Sequence, residues 1–175
     1  MENFKNHGVP FLALVAEGNI GHPDRRAQDM GTLLANATES KNTDVLFAVA
    51  QDGLARATLS SVMIGYGPTA TFEPDQIRRP MALDVPEQDG LDALMAIIEA
   101  NRRRGTEGVA GKADARKPRK AVIVITNGAF IQAFLRFYFS TVANGPETPS
   151  LDEFVSFGTS VVINTITHEV KILQA

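Results

Sequence analysis

Short, continuously apolar runs alternate along the chain with longer segments whose apolar residues recur at helical spacing. The runs "PFLALVA" from Pro10, "DVLFAVA" from Asp44 and "AVIVIT" from Ala121 show no polar alternation, which is typical of strands buried on both faces. Each run is followed by a helical pattern, as at Met30, Leu33, Leu34 and Ala37 after the first run, and a further helical pattern at Leu91, Leu94, Met95 and Ile98 precedes the third run. Strands that alternate with helices predict a three-layer α/β/α fold with a mainly parallel sheet.

The last part of the chain carries a different pattern. In "FVSFGTSVVINTITHEVKILQA" apolar and polar residues alternate as in two strands, with a turn near Thr167 to Glu169. This predicts a C-terminal antiparallel hairpin. The weaker "TATF" at Thr69 to Phe72 is a candidate short strand, and Glu73 to Gln88, with three prolines, is predicted to be a long connection over the sheet edge.

Length and composition narrow the class of protein. A chain of 175 residues with 44% hydrophobic residues predicts one domain over residues 1–175, with residues 1–9 flexible. Cysteine is absent, which excludes disulfides, thiolate metal sites and a cysteine nucleophile. The three histidines, His7, His22 and His168, are too scattered for a zinc site, so we expect no metal and no cofactor. No signal peptide and no membrane-spanning segment is apparent, so we expect a cytoplasmic protein with no membrane partner.

Charge is unevenly distributed around a net value of −3. The segment 102–120 holds eight Lys or Arg residues against Glu107 and Asp114, which makes it +6 and leaves −9 elsewhere. It lacks a periodic apolar face and predicts a solvated basic loop, although docking on an acidic partner stays open. No aromatic residues interleave with its charges, so we do not expect nucleic acid as the partner.

The fold class also predicts where a ligand would bind. In open α/β sheets, ligands bind outside the carboxyl ends of the strands. The segments at those ends are Ala16 to Gly18, Gln51 to Arg56 and Thr126 to Gly128.

From about Phe11 to the C-terminus, these segments together resemble the histidine phosphatase superfamily, whose fold is phosphoglycerate mutase-like. "LVAEG" stands where the family has an Arg-His-Gly motif, "LARAT" matches its Arg-Ala helix, and "VITNGAFIQAFL" stands where it has a second His-Gly. By this resemblance, Ala16 occupies the position of the family's first arginine, Glu17 that of its nucleophilic histidine and Asn127 that of its second histidine. Arg56 is retained. Glu73, Asp84 and Glu87 are alternatives for the family's acid.

These replacements change the chemistry that the resemblance implies. The family's first histidine becomes phosphorylated, whereas an ionised Glu17 would repel phosphate by roughly 4 kcal/mol at about 4 Å and an effective dielectric of about 20. Glu17 is expected to bond Arg56 or a neighbouring N–H. Aligning His7 and Gly8 with the missing motif is a weaker alternative, because "MENFK" before His7 cannot form a buried strand.

We therefore predict a degenerate pocket without a catalytic residue, formed by Ala16, Glu17, Gly18, Arg56, Asn127 and Gly128. Asn127 is interpreted as a helix N-cap, with a pocket donor as the alternative. The predicted function is a non-catalytic binding, regulatory or assembly module. The alternative is a diverged phosphatase acting on a small phosphomonoester through Arg56 and a carboxylate. A small anion or phosphorylated ligand and a homodimer, with contacts from Phe137 and Phe139, stay open as partners.

Overall fold

The computed structural model describes residues 11–18, 25–67, 71–79, 83, 88–103, 119–142 and 158–175. They form six strands and four α-helices in the order β1 (Phe11–Ala16), α1 (Arg25–Ala37), β2 (Val45–Val49), α2 (Gly53–Tyr66), β3 (Ile77–Arg78), α3 (Gln88–Arg103), β4 (Ala121–Thr126), α4 (Gly128–Phe137), β5 (Thr159–Asn164) and β6 (Val170–Gln174). A 3₁₀ turn, Pro74–Gln76, precedes β3, and a π-helical turn, Tyr138–Val142, follows α4. No helix within these ranges is both long and apolar enough to cross a bilayer.

The strands form one sheet in the order β3-β2-β4-β1-β5-β6. The first four are parallel, β5 runs antiparallel to β1, and β6 pairs antiparallel with β5. The predicted α/β fold with a mainly parallel sheet and a C-terminal antiparallel hairpin is confirmed.

Burial explains why the apolar runs form the central strands. Every residue of β2 and β4 is buried, and β1 is buried from Leu12 onward. A strand covered on both faces has no solvent-facing positions, so its sequence shows no alternation. On one face, the Phe47 ring packs edge-on against Tyr66 of α2, with ring centroids 5.7 Å apart.

Helices α1 and α2 approach each other closely at two glycines. A Cβ on Gly31 would stand 2.1 Å from the Val62 carbonyl oxygen, and one on Gly65 would stand 2.1 Å from the Gln28 carbonyl oxygen. The Thr32 hydroxyl donates to the Gly65 carbonyl at 3.0 Å across the same contact. Since no side chain fits there, these glycines set the spacing of the two helices.

The short strand lies elsewhere than the sequence pattern predicted. Of the predicted strand Thr69 to Phe72, residues 69 and 70 lie outside the described ranges, while Thr71 and Phe72 are not in a strand. Strand β3 falls inside the segment that was predicted to be a connection. Only two residue pairs join β3 to β2, which is too few for a period to be visible in the sequence. Its position is fixed by buried Gln76, whose Nε2 donates to the carbonyls of Asn42 at 2.7 Å and Val45 at 3.0 Å.

The predicted basic loop is described only at its two ends. Arg102 and Arg103 belong to α3, and residues 104–118 lie outside the described ranges, as do residues 1–9. Asn101 connects the two ends of the segment by two hydrogen bonds. Its Nδ2 donates to the Arg119 carbonyl at 3.1 Å, and its Oδ1 accepts from the Arg119 N–H at 2.9 Å. The ends of the basic segment therefore lie at the start of β4.

Candidate functional site

Three strands end level with one another at one edge of the sheet, which we call the carboxyl edge. Ala16 of β1 pairs with Thr126 of β4, and Val49 of β2 pairs with Ile125 of β4. Because β4 lies between β1 and β2, the residues that follow the three strands are neighbours. The structure thus brings together the three segments where the fold class predicted a ligand-binding site.

The exit from β1 is fixed by two backbone hydrogen bonds. The Glu17 N–H donates to the Thr126 carbonyl at 2.8 Å. The Gly18 N–H donates to the Thr58 hydroxyl oxygen at 2.8 Å, and that hydroxyl donates to the Leu54 carbonyl at 2.8 Å. Buried Thr58 therefore joins the loop after β1 to the first turns of α2.

Glu17 is held at the edge by its own backbone. Its side chain is half-buried, and its Oε2 is shielded from solvent. Ala16 is 2% exposed and borders a cavity of about 10 Å³ that also touches Met30 and Thr58. That space is about the size of one water molecule and does not admit a guanidinium group.

Asn127 caps α4. Its Oδ1 accepts from the Phe130 N–H at 2.8 Å, and its backbone is extended, as an N-cap requires. Gly128 is the first residue of the helix. The capping interpretation of Asn127 is confirmed, because its side-chain oxygen serves the start of the helix.

Asp52 plays the same part for α2, with its Oδ1 accepting from the Ala55 N–H at 2.8 Å. Arg56 follows in the first turn and its side chain is exposed. In the described part of the chain no ion pair joins Arg56 to Glu17. Of the two partners expected for Glu17, Arg56 or a neighbouring N–H, the first is therefore wrong, since the Arg56 side chain is exposed.

Three side chains at this edge were not among the six predicted pocket residues. Besides Thr58, the Thr126 hydroxyl donates to the Leu83 carbonyl, and the Gln51 Nε2 donates to the Arg79 carbonyl at 2.7 Å. Both bonds hold the chain after β3 against the carboxyl edge. Thr58 lies in the "LARAT" motif, so the sequence could have indicated it. The bonds of Thr126 and Gln51 could not be predicted, because their partners are distant along the chain.

The candidate acids are separated by the fold. Glu73 precedes β3 and caps the 3₁₀ turn next to the start of β2, so it lies at the opposite end of the strands from Glu17. Glu73 is therefore excluded as the acid of this site. Asp84 and Glu87 lie outside the described residues.

His168 is also remote from the carboxyl edge. It follows the β5–β6 turn, with a φ of 63°, and its Nδ1 lies 2.5 Å from the Tyr138 hydroxyl. Burial raises the pKa of Tyr138 well above its ordinary value. His7 and His22 lie outside the described residues. Within the described ranges, no group of three or more His, Asp or Glu side chains is placed to hold a metal ion.

The aromatic residues suggested as partner contacts are largely internal. Phe139 is 6% exposed and packs edge-on against Tyr138, with ring centroids 5.0 Å apart, while Phe137 is half-buried against Phe134. Phe139 is thus part of the core and not available to a partner.

Solved structures with a similar fold belong to the histidine phosphatase superfamily. The putative phosphohistidine phosphatase SixA from Nakamurella multipartitia aligns with a TM-score of 0.50 and 16% identity, covering 93% of this chain and 92% of that chain. Phosphoglycerate mutase from Plasmodium falciparum aligns at 0.49 and 16%, covering 94% and 89%. The putative SixA from Agrobacterium tumefaciens aligns at 0.49 and 11%, covering 94% and 96%.

No protein-family model matches the sequence, nor does any curated protein. At these identities the likeness concerns the fold, and a fold does not carry an activity with it. Any chemistry of this chain depends on its own residues at the carboxyl edge.

Proposed function

We propose that this protein is a non-catalytic phosphoglycerate mutase-like protein that acts as a binding, regulatory or assembly module. One observation carries the proposal: the residue directly after β1 is a carboxylate, and the residue directly after β4 is an amide that caps a helix. The family resemblance implies histidines at both positions.

The physical argument is electrostatic. A carboxylate about 4 Å from a phosphate charge costs roughly 4 kcal/mol at an effective dielectric of about 20. This corresponds to a loss of about several hundredfold in affinity. Arg56 does not neutralise Glu17 through an ion pair, and the Asn127 side-chain oxygen is engaged with the Phe130 N–H. An amide also has no titratable proton to supply to a leaving group.

A diverged phosphatase is the second candidate. Its support is the exposed guanidinium of Arg56 in the first turn of α2, where it can reach an anion in solvent. Carboxylates act as nucleophiles toward phosphoryl groups in aspartyl-phosphate enzymes, so Glu17 has a chemical precedent.

Phosphatase assays distinguish the two candidates. Purified protein is incubated without added metal with p-nitrophenyl phosphate and a panel of phosphomonoesters, beside Arg56→Ala and Arg78→Ala variants. Arg78 is a matched control, because it is an exposed arginine on β3. We expect no turnover above that of Arg56→Ala. Robust turnover that is lost in Arg56→Ala and kept in Arg78→Ala would establish the phosphatase instead.

The repulsion by Glu17 can be measured directly. We expect Glu17→Gln to bind inorganic phosphate at least about tenfold more tightly than the unchanged protein in isothermal titration calorimetry. Glu73→Gln, at the other end of the strands, is the control and should leave phosphate binding unchanged. Equal phosphate affinity in all three proteins would contradict the electrostatic argument.

A homodimer stays a prediction, and burial of Phe139 removes one of its suggested contacts. Light scattering on the native protein gives the mass that decides it.

A further inference from the structure

A second concave site lies at the other end of β1, where the strands begin, which we call the amino edge. It is a cleft of about 300 Å³ between the end of α1 and the β5–β6 hairpin. The first residue of β1, Phe11, lines it and pairs with Asn164 of β5. The length of β1 separates Phe11 at the cleft from Glu17 by roughly 20 Å, at about 3.3 Å per residue.

The cleft is lined by both apolar and charged residues. Phe11, Ala37 and Val162 form the apolar part. Glu169 and Lys171 of the hairpin are both exposed, and they stand on the same face of the sheet because they are two residues apart on one extended segment. Lys171 lies opposite Val162 on the neighbouring strand, and the Asn164 N–H donates to the Glu169 carbonyl at 2.9 Å.

A third charged residue that lines the cleft, Glu39, has a counter-ion from outside the cleft. Glu39, which lines the wall formed by the end of α1, lies 3.8 Å from the Lys120 ammonium. Within the described residues, neither Glu169 nor Lys171 takes part in an ion pair. One carboxylate and one ammonium therefore face a partly apolar cleft side by side without neutralising each other.

We propose that this cleft binds a small zwitterion, a free α-amino acid with an apolar side chain. An amine alone would leave Lys171 beside a positive charge, and a carboxylate alone would meet Glu169. A zwitterion places its ammonium on Glu169 and its carboxylate on Lys171, while its side chain covers Phe11, Ala37 and Val162. The volume lies at the lower end of ligand pockets, which suits a molecule of this size. The proposal does not rest on the proposed function of the carboxyl edge.

The test uses the full chain and three matched probes: L-leucine, isoamylamine, which lacks the carboxylate, and isocaproate, which lacks the amine. We expect calorimetry to give saturable binding of leucine, and each of the other two probes to bind at least tenfold more weakly. In NMR spectra, leucine should shift the backbone amide signals of Asn164 and Lys171.

Two variants remove one charge each. Glu169→Gln and Lys171→Gln should each weaken leucine binding at least tenfold, while Glu73→Gln and Arg78→Gln should leave it unchanged. Circular dichroism confirms that each variant is folded. The proposal is overturned if leucine does not bind saturably up to millimolar concentrations, if isoamylamine or isocaproate binds as tightly as leucine, or if both charge variants bind leucine normally.

Discussion

The two edges of the sheet differ in how their polar groups are used. At the carboxyl edge, Thr58 and Thr126 bond the backbone of segments distant along the chain, and Asn127 caps the helix that follows it, which fixes the exits of the strands. At the amino edge, Glu169 and Lys171 stand on an exposed hairpin beside an open cleft. The polar groups at one end of the strands thus make structural hydrogen bonds, while exposed charged groups lie beside a cleft at the other end of the same strands.

The largest expected effect on the free energy of unfolding comes from the contact between helices α1 and α2. Helices α1 and α2 each run between the edges, and Gly31 lies where they touch. Gly31→Ala should lower the free energy of unfolding by about 3 kcal/mol or more, because the new Cβ overlaps a backbone carbonyl. Urea unfolding measures this, with Asp29→Ala on the exposed face of α1 as the control. A loss below about 1 kcal/mol would mean that the helices move apart easily.

The next effect concerns the amino edge at high pH. Burial raises the pKa of Tyr66 from 10.0 to about 12, partly offset by hydrogen bonding to Ser40 and Thr38. The folded state therefore keeps a proton that the unfolded chain releases above pH 10, so stability is complete below pH 10 and falls as the pH rises toward 12. The loss approaches about 3 kcal/mol, at about 1.4 kcal/mol per pKa unit.

Unfolding by urea between pH 9 and pH 12, a range spanning the two Tyr66 values, measures this loss. Tyr66→Phe should show a smaller alkaline loss than the unchanged protein. Some loss should persist in that variant, since burial also raises the pKa of Tyr138. An identical pH profile for the two proteins would contradict the role assigned to Tyr66.

A smaller effect is expected from the carboxyl edge. Thr58→Val removes the acceptor of the buried Gly18 N–H and should cost about 2 kcal/mol, since a buried donor is left without its partner. Thr58→Ser keeps the hydroxyl and should lose less. Thermal and urea unfolding of the pair separates the hydrogen bond from packing. If Ser and Val variants are equally stable, the bond does not hold the β1 exit.

The smallest effect is expected at Arg56. Its side chain is exposed, so Arg56→Ala should change the free energy of unfolding by less than about 0.5 kcal/mol. A larger loss in urea unfolding, with Arg78→Ala unchanged, would show that Arg56 has a structural role. The measurement thus distinguishes an arginine that stabilises the fold from one whose side chain is available to bind an anion.

Much of this architecture was predictable from local patterns. Continuous apolar runs predicted β1, β2 and β4, because strands with both faces covered need no polar positions. Asn127 before a helical pattern predicted the α4 cap, because the capping bond reaches only three residues along the chain. The meeting of the three strand ends at one edge followed from the parallel arrangement.

Other features depend on residues that are distant in sequence. Strand β3 is held by Gln76 through carbonyls 31 and 34 residues away, and Gly18 and Thr58 are 40 residues apart. The sequence also misplaced Glu73 as a candidate acid and Phe139 as a surface contact, because neither the end of the sheet that a residue reaches nor its depth in the core is encoded locally.

The sequence by itself determined which segments became buried strands and which became helices, since burial periodicity and capping act over a few residues. Only the tertiary structure decided which side chains meet at each end of the sheet. It also decided that Arg56 is exposed to solvent and not paired with Glu17, and that a cleft lies between α1 and the hairpin. Those outcomes depend on strand order and helix spacing, which arise from contacts between segments far apart along the chain.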